Sequence, residues 1–165
     1  MSTYRALVVR EEGERFTRKI EEVPFSFLPE SEVLIKVSYA GLNYKDALSA
    51  SGHKGITRSF PHTPGVDASG IVEKSSSSEF KSGQEVIVTS FDLGMNTKGA
   101  FAEYICVPAG WVVPLPEGLS LKDAMSMGTA AFTAALALHK IERSGQNPDM
   151  GELVVPGASG GVASM

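Results

Sequence analysis

Short runs of alternating apolar and polar residues occupy most of the first 115 positions and predict β-strands. In the clearest run, over residues 32–40, Val33, Ile35, Val37 and Tyr39 share one face of a strand. Further strands are predicted over residues 4–10, 16–23, 66–72, 84–90, 101–107 and 111–115. Because turn residues separate these short strands, the pattern favours a small β-barrel or sandwich.

From residue 116 onward the pattern becomes helical. Ser120 and Asp123 resemble a capping box and predict the start of a helix, which Gly128 interrupts. A second helix is predicted over residues 130–143, and a shorter helix that begins at Asn43 is predicted earlier in the chain. The chain therefore changes from a β-rich part to a helical part near residue 116.

The last stretch of the chain combines an apolar run with a glycine cluster. Leu153, Val154 and Val155 predict a buried strand, and a turn of small residues follows over 157–162. A strand, a glycine turn and a helix N-terminus are typical of a dinucleotide site, because small residues let the backbone approach a pyrophosphate. A glycine-rich tail without a ligand is the alternative interpretation.

Composition and charge narrow the possible partners and compartment. The chain has 165 residues, 42% of them hydrophobic, and a net charge of −4 at pH 7. Nucleic acid and anionic membranes are therefore not expected as partners. Cys106 is the one cysteine, no apolar run approaches the ~20 residues of a membrane span, and the N-terminus has no apolar signal core. These features predict a cytoplasmic protein.

Four motifs, in order along the chain, resemble those of one superfamily. They lie at residues 41–46 (GLNYKD), 64–70 (PGVDASG), 128–134 (GTAAFTA) and 157–162 (GASGGV). Together they resemble the medium-chain dehydrogenase/reductase superfamily, its zinc-free quinone-oxidoreductase branch and, within that branch, the NADPH-dependent acrylyl-CoA reductase group. The resemblance runs through the whole chain, which corresponds to about the first half of a family member of about 300 residues.

This resemblance implies a domain organisation and a reaction. Residues 1–115 would form a GroES-like β-domain, and residues 116–165 would begin a Rossmann-type NADP-binding domain that is truncated here. The implied fold is mainly β, a GroES-like barrel followed by helices and the first strand of the truncated α/β domain. The implied activity is hydride transfer from NADPH to a polarised double bond or a quinone. The substrate would be a small molecule, such as a quinone, an enone or an enoyl thioester, and the complete enzyme would be a homodimer.

The resemblance also implies particular site residues. Asn43 and Tyr44 would be catalytic and contact the nicotinamide–substrate region. The residues implied for cofactor binding are Tyr44, Thr129, Thr133, Ser159, Gly160, Gly161 and Val162. Structural roles stay open for several of them: Asn43 and Thr129 can cap helices, and Tyr44 can pack. Lys45 and Asp46 are also typical of the family, and an ion pair that holds the loop is an equally good interpretation of them.

No metal site is expected. Zinc-dependent relatives carry a cysteine and a histidine where this chain has Asn43 and Val66, and Asp67 alone keeps a carboxylate. Carbonyl polarisation would then come from hydrogen bonds. Asp67 is expected to be structural and to accept hydrogen bonds from nearby backbone N–H groups.

Two hypotheses about function follow. In the first, the chain is the N-terminal part of a zinc-independent NADPH-dependent oxidoreductase; in the second, it is a non-catalytic GroES-like binding or association module. Ala163 stands at the third glycine of the family's fingerprint and Pro156 at the usual threonine, and the ribose contacts would lie beyond Met165. We therefore expect the chain alone to be inactive, with a terminus that is frayed after about Gly151 or that self-associates.

Overall fold

A computed structural model describes residues 3–165 of the chain. Its strands are β1 (Thr3–Glu12), β2 (Arg15–Pro24), β3 (Val33–Ala40), β4 (Asp67–Ser75), β5 (Glu85–Thr89), β6 (Tyr104–Val107) and β7 (Val112–Pro114). Its helices are α1 (Tyr44–Ala50) and α2 (Leu121–Arg143), with 3₁₀ turns at Phe25–Phe27, Ala109–Trp111 and Pro148–Met150. The predicted order of a β-rich part followed by helix is confirmed.

Within residues 3–165, the strands form two antiparallel sheets and not a closed barrel. β1 pairs with β2, while the other strands form a sheet in the order β6-β3-β4-β5-β7. Isolated bridges from Ala6 to Ala102 and from Val9 to His62 join β1 to segments that flank the second sheet. The predicted mainly β class is confirmed. Single bridges join the two sheets at the places where a closed barrel would have a continuous ladder of backbone hydrogen bonds.

The main core lies on one face of the five-stranded sheet. Val33, Ile35, Val72, Val86, Val88, Ile105 and Val107 are all buried there. A smaller cluster around Tyr4 and Tyr104 packs β1 and β2 against β6. The alternation predicted for β3 holds for Val33 and Ile35 but not for Tyr39, which is 45% exposed. The pairing of β3 with β4 shifts between Val37 and Tyr39, and such a shift turns the later side chains to another face.

Both predicted helical regions are present. The hydroxyl of Ser120 accepts a hydrogen bond from the backbone N–H of Asp123 at 3.1 Å, so this N-cap is confirmed. Gly128 leaves the helical conformation, with φ 46° and ψ −151°, and divides α2 into two halves at the predicted position. None of the helices within residues 3–165 is long and apolar enough to cross a bilayer.

The strand predicted at Leu153–Val155 is wrong. Residues 151–157 have no regular secondary structure, and the three apolar residues are 54%, 90% and 60% exposed. A strand needs a neighbour to take its hydrogen bonds, and no described strand lies beside this segment. The irregular backbone agrees with the frayed terminus expected after about Gly151. Self-association through this terminus stays a prediction.

Candidate active site

A cleft of about 370 Å³ forms where α1 and the second half of α2 begin, close to the start of β4. It is lined by residues 42–45, Val66, Ser90, Met95, residues 129–130 and residues 161–162. A larger depression, of about 450 Å³, runs along β1 and β3 and is lined by none of the site residues predicted from the sequence. The smaller cleft is therefore the candidate active site.

The cleft brings together most of the residues that the sequence singled out. Asn43 and Tyr44 come from the start of α1, Thr129 from α2, and Gly161 and Val162 from the terminal turn. The α1 and α2 positions are more than 80 residues apart in the chain, so the fold and not proximity in the sequence places them in one cleft.

Three predicted cofactor residues lie outside the cleft lining. Thr133 is one helical turn beyond Thr129, and its hydroxyl donates to the Thr129 carbonyl at 2.7 Å. Ser159 and Gly160 are exposed in the preceding turn, where the Gly160 N–H donates to the carbonyl of Gly157 at 2.8 Å. Their role in binding a cofactor stays a prediction.

A buried carboxylate lies behind the cleft. Asp67, the first residue of β4, is 1% exposed. Its Oδ2 accepts from Asn43 Nδ2 at 2.8 Å and from the backbone N–H of Thr129 at 2.8 Å. Its Oδ1 accepts from the Thr129 hydroxyl at 2.6 Å. Buried carboxylates need such donors, but these donors come from residues distant in the chain and not from the nearby backbone that the sequence suggested.

The hydroxyl of Ser90 extends this arrangement. It lies 3.0 Å from the Thr129 hydroxyl, and because the Thr129 proton is directed to Asp67, Ser90 is the donor in that pair. We call Asp67, Asn43, Thr129 and Ser90 the Asp67 network. Ser90 has the left-handed φ of 63° that few non-glycine residues adopt. Sequence reasoning missed Ser90, since nothing at the end of a strand marks one serine as part of a polar network.

Two glycines make room for the Asp67 carboxylate. A Cβ at Gly128 would lie 2.7 Å from Asp67 Oδ2, and a Cβ at Gly41 would lie 3.0 Å from Asp67 Cβ. The left-handed φ of Gly128 adds a second reason against a side chain there. The break in α2 therefore allows the Thr129 N–H to reach Asp67.

The structure gives contacts for both Asn43 and Asp46. Asn43 is the N-cap residue of α1, where it forms a capping box with Asp46, and its side-chain amide also donates to Asp67. The carboxylate of Asp46 accepts from the backbone N–H groups of Asn43 and Val66, at 2.7 and 3.0 Å. Burial raises the pKa of Asp46, while these hydrogen bonds oppose that rise. An ion pair between Lys45 and Asp46 was the alternative, and no such pair is present among the described residues.

The residue types around the cleft suit hydrogen bonding to oxygen more than metal ligation. Within residues 3–165, no three histidine, cysteine, aspartate or glutamate side chains are grouped as metal ligands would be. His62 is buried with its Nε2 2.9 Å from the carbonyl oxygen of Gly94, and Cys106 is half-buried on β6, where burial raises its pKa. The prediction that no metal is bound thus rests on the chemistry of Asn43 and Val66.

The terminal turn has the donors that a phosphate group would need. In the described part of the chain, the backbone N–H groups of Ser159, Gly161 and Val162 have no protein acceptor. Gly161 packs beside the start of the second half of α2, because a Cβ there would lie 3.7 Å from Ala130 Cβ. Free N–H groups beside a helix start fit the phosphate of a nucleotide cofactor.

Comparison with known proteins identifies the family. Residues 29–117 match the alcohol dehydrogenase GroES-like domain family. The chain belongs to this family. Acrylyl-CoA reductase AcuI of Ruegeria pomeroyi is 40% identical over 164 residues, which are 98% of this chain and 50% of that protein. Mammalian quinone oxidoreductases match at 33% to 38% identity, so the resemblance drawn from the four motifs is confirmed.

Solved structures agree with this assignment. The yhdH oxidoreductase of Salmonella enterica, in complex with NADP, superposes with a TM-score of 0.94 at 42% identity over 97% of this chain and 49% of that one. The yhfP protein of Bacillus subtilis, with NAD bound, gives a TM-score of 0.95 at 42% identity over 99% and 50%. The chain spans about half the length of the curated relatives it matches.

Proposed function

We propose that this chain is the N-terminal part of a zinc-independent, NADPH-dependent oxidoreductase that transfers hydride to a polarised double bond or a quinone. The observation that carries the proposal is the convergence of Asn43, Tyr44 and Thr129 with the terminal glycine turn in one cleft. Relatives named as quinone oxidoreductases and acrylyl-CoA reductases support the reaction class.

The residues of the cleft divide into a substrate side and a cofactor side. A nicotinamide cofactor supplies a hydride, and this chain's residues orient and polarise the group that receives it. Asn43 has a second amide N–H with which to donate to a carbonyl or quinone oxygen, and Tyr44, which lines the same cleft and is 80% exposed, carries a hydroxyl. The free N–H groups of residues 161–162 would hold the cofactor, and Thr129, whose two donors both go to Asp67, would line that side of the cleft.

We propose NADPH as that cofactor. Structures of relatives contain NADP or NADPH in two cases and NAD in one, so the choice between the two cofactors is a separate test. A comparison of NADPH with NADH as reductants decides it, since the two differ only in the 2′-phosphate. The homodimer implied by the resemblance stays a prediction, which the mass in solution would check.

The proposal is tested with the protein as its gene encodes it. The purified protein is assayed for oxidation of NADPH in the presence of a quinone, an enone and an enoyl thioester. Asn43→Ala removes the donor and should lower kcat/KM by about a hundredfold, the scale seen when one donor to a developing oxyanion is lost. Ser51→Ala, at the other end of α1, is the matched control, because its hydroxyl donates only to the Leu48 carbonyl. Equal rates for Asn43→Ala and the wild type would overturn the assignment of Asn43.

One observation favours the alternative, a non-catalytic association module. On the second half of α2, Phe132 and Leu136 lie one turn apart and are 55% and 43% exposed, while Leu138 and Leu153 line a separate cavity and are 53% and 54% exposed. Exposed apolar side chains of this kind are typical of surfaces that another polypeptide covers. A natural protein that oxidises NADPH with none of the three acceptors, but forms a stable complex through the second half of α2, would favour the module.

A further inference from the structure

The Asn43 amide is held in one orientation by a group that can only accept hydrogen bonds. An asparagine side chain can usually turn over and exchange its oxygen with its nitrogen. Here Asp67 Oδ2 lies 2.8 Å from Asn43 Nδ2, and a carboxylate offers no proton to an amide oxygen. The amide nitrogen must therefore face Asp67, and its second N–H has no acceptor among the described residues.

The carboxylate is itself fixed on several sides. The backbone N–H and the hydroxyl of Thr129 both donate to it, and Gly41 and Gly128 leave no spare room around it. Since the Thr129 N–H belongs to the backbone, it can only donate, and it holds the same Oδ2 of Asp67 to which the Asn43 amide donates. The position of the Asn43 amide is thus set through Asp67 by the start of the second half of α2.

Asp67 also connects β4 to α2, and that connection alone could account for its burial. Ser69, two residues along β4, makes a comparable connection, because its hydroxyl donates to the Leu121 carbonyl at 2.7 Å. Ser69 is equally buried, at 1% exposed, but it makes no hydrogen bond to Asn43. The two residues therefore distinguish a tie between β4 and α2 from control of the amide.

We propose that Asp67 is a positioning residue, which orients the Asn43 amide as a hydrogen-bond donor to the oxygen of the substrate. The identity of that substrate rests on the proposed function. The orientation of the Asn43 amide by Asp67 does not depend on which substrate is bound. Thr129 takes part as the group that anchors Asp67, and Ser90 anchors Thr129 in turn.

The orientation is tested by NMR on the 165-residue chain. In the wild type, the shifts of the two side-chain amide protons of Asn43 should differ by more than those of an exposed asparagine, because one of the protons is bound to a carboxylate. Asp67→Asn should reduce that excess by at least half, since an amide at position 67 can both donate and accept. Ser69→Ala should leave the Asn43 signals in place. Unchanged Asn43 signals in folded Asp67→Asn would overturn the proposal.

A second variant covers the case in which Asp67→Asn does not fold. Thr129→Val keeps the volume of the side chain and removes one donor from Asp67, so the Asn43 amide signals should move by a smaller amount in the same direction. If they do not move while the core methyl signals stay in place, Asp67 has a structural role alone.

A double-mutant cycle in the natural protein tests whether Asp67 affects the reaction rate through Asn43. If Asp67 acts through Asn43, Asp67→Asn should lower kcat about tenfold in the wild type and should have no further effect in Asn43→Ala. Full additivity of the two changes would overturn the positioning role. Complete absence of reductase activity would count against the proposed function and against a role of the Asn43 amide as donor to a substrate oxygen. The NMR result would still decide whether Asp67 orients that amide.

Discussion

The two sides of the cleft are built in different ways. On the substrate side, Asn43 is held by Asp67, whose strand starts in a sheet where Val33, Ile35 and Val88 are at most 1% exposed. On the cofactor side, Gly161 and Val162 belong to a segment with no strand, in which Val154 is 90% exposed. Packing within this chain thus fixes the donor on the proposed substrate side, whereas the proposed phosphate donors lie in a segment with little packing around it.

The largest effect expected from this difference is the loss of cofactor affinity. The 165-residue chain should bind NADPH with a Kd weaker than about 1 mM, which is at least about 4 kcal/mol short of a micromolar site. Free N–H groups in an unsupported turn must be ordered upon binding, and this entropic cost offsets the hydrogen bonds that they donate to phosphate. Fluorescence titration with NADPH measures the affinity, with the yhdH oxidoreductase of Salmonella enterica as positive control. Saturable micromolar binding by the chain would show that the glycine turn is sufficient.

Stability should show the same contrast. Ile35→Ala removes a large side chain from the β3 core, where Ile35 is 1% exposed, and should lower the free energy of unfolding by about 3 kcal/mol. Val154→Ala, in the exposed terminal segment, should change it by less than about 0.5 kcal/mol. Urea unfolding followed by circular dichroism measures both. A large effect of Val154→Ala would mean that the terminal segment is packed in solution, for example by self-association.

The pH dependence of the free energy of unfolding should come from a buried group of the β-region, His62, and not from the terminal segment. Burial lowers the pKa of His62 to about 4, whereas a histidine in the unfolded chain titrates near 6.5. Between these values the unfolded state binds more protons, so the free energy of unfolding falls as the pH falls. We expect a loss of about 2 kcal/mol between pH 6.5 and pH 5.

Urea unfolding at several pH values in that interval measures the slope. His62→Gln should reduce it, because the titrating group is removed, whereas Leu153→Ala should keep the wild-type slope. A slope that is the same with and without His62 would assign the pH dependence to groups other than His62.

The sequence predicted local structure well, because local structure depends on nearby residues. The strand around Val33 and Ile35, the N-cap at Ser120 and the break at Gly128 were all visible as alternation, capping residues or a glycine within a helix. The strand at Leu153–Val155 was predicted from the same kind of pattern and is wrong, because pairing depends on a neighbour that no local pattern describes.

The residues that line the candidate site could be predicted from the sequence, but the hydrogen bonds that join them could not. Resemblance to a family led to Asn43, Tyr44 and Thr129, which the cleft brings together. The hydrogen bonds that Asp67 accepts come from residues 24 and 62 positions away, and no rule of spacing connects such positions. Burial of a carboxylate among small residues was the one available signal that Asp67 must find donors.

The smallest expected effect compares the two ends of α2. Ser120→Ala removes the hydroxyl that accepts from the Asp123 N–H, and the loss of an N-cap costs about 1 kcal/mol of stability. Ser144→Ala, at the other end, removes a hydroxyl that donates to the Ile141 carbonyl at an exposed position, and should cost less than about 0.5 kcal/mol. Because the first half of α2 packs on the sheet through Ala124 and Met125, fraying at Ser120 should lower global stability, while fraying at Ser144 should not. Urea midpoints for the two variants measure the contrast, and equal losses at both ends would show that α2 unfolds as one unit with the β-region.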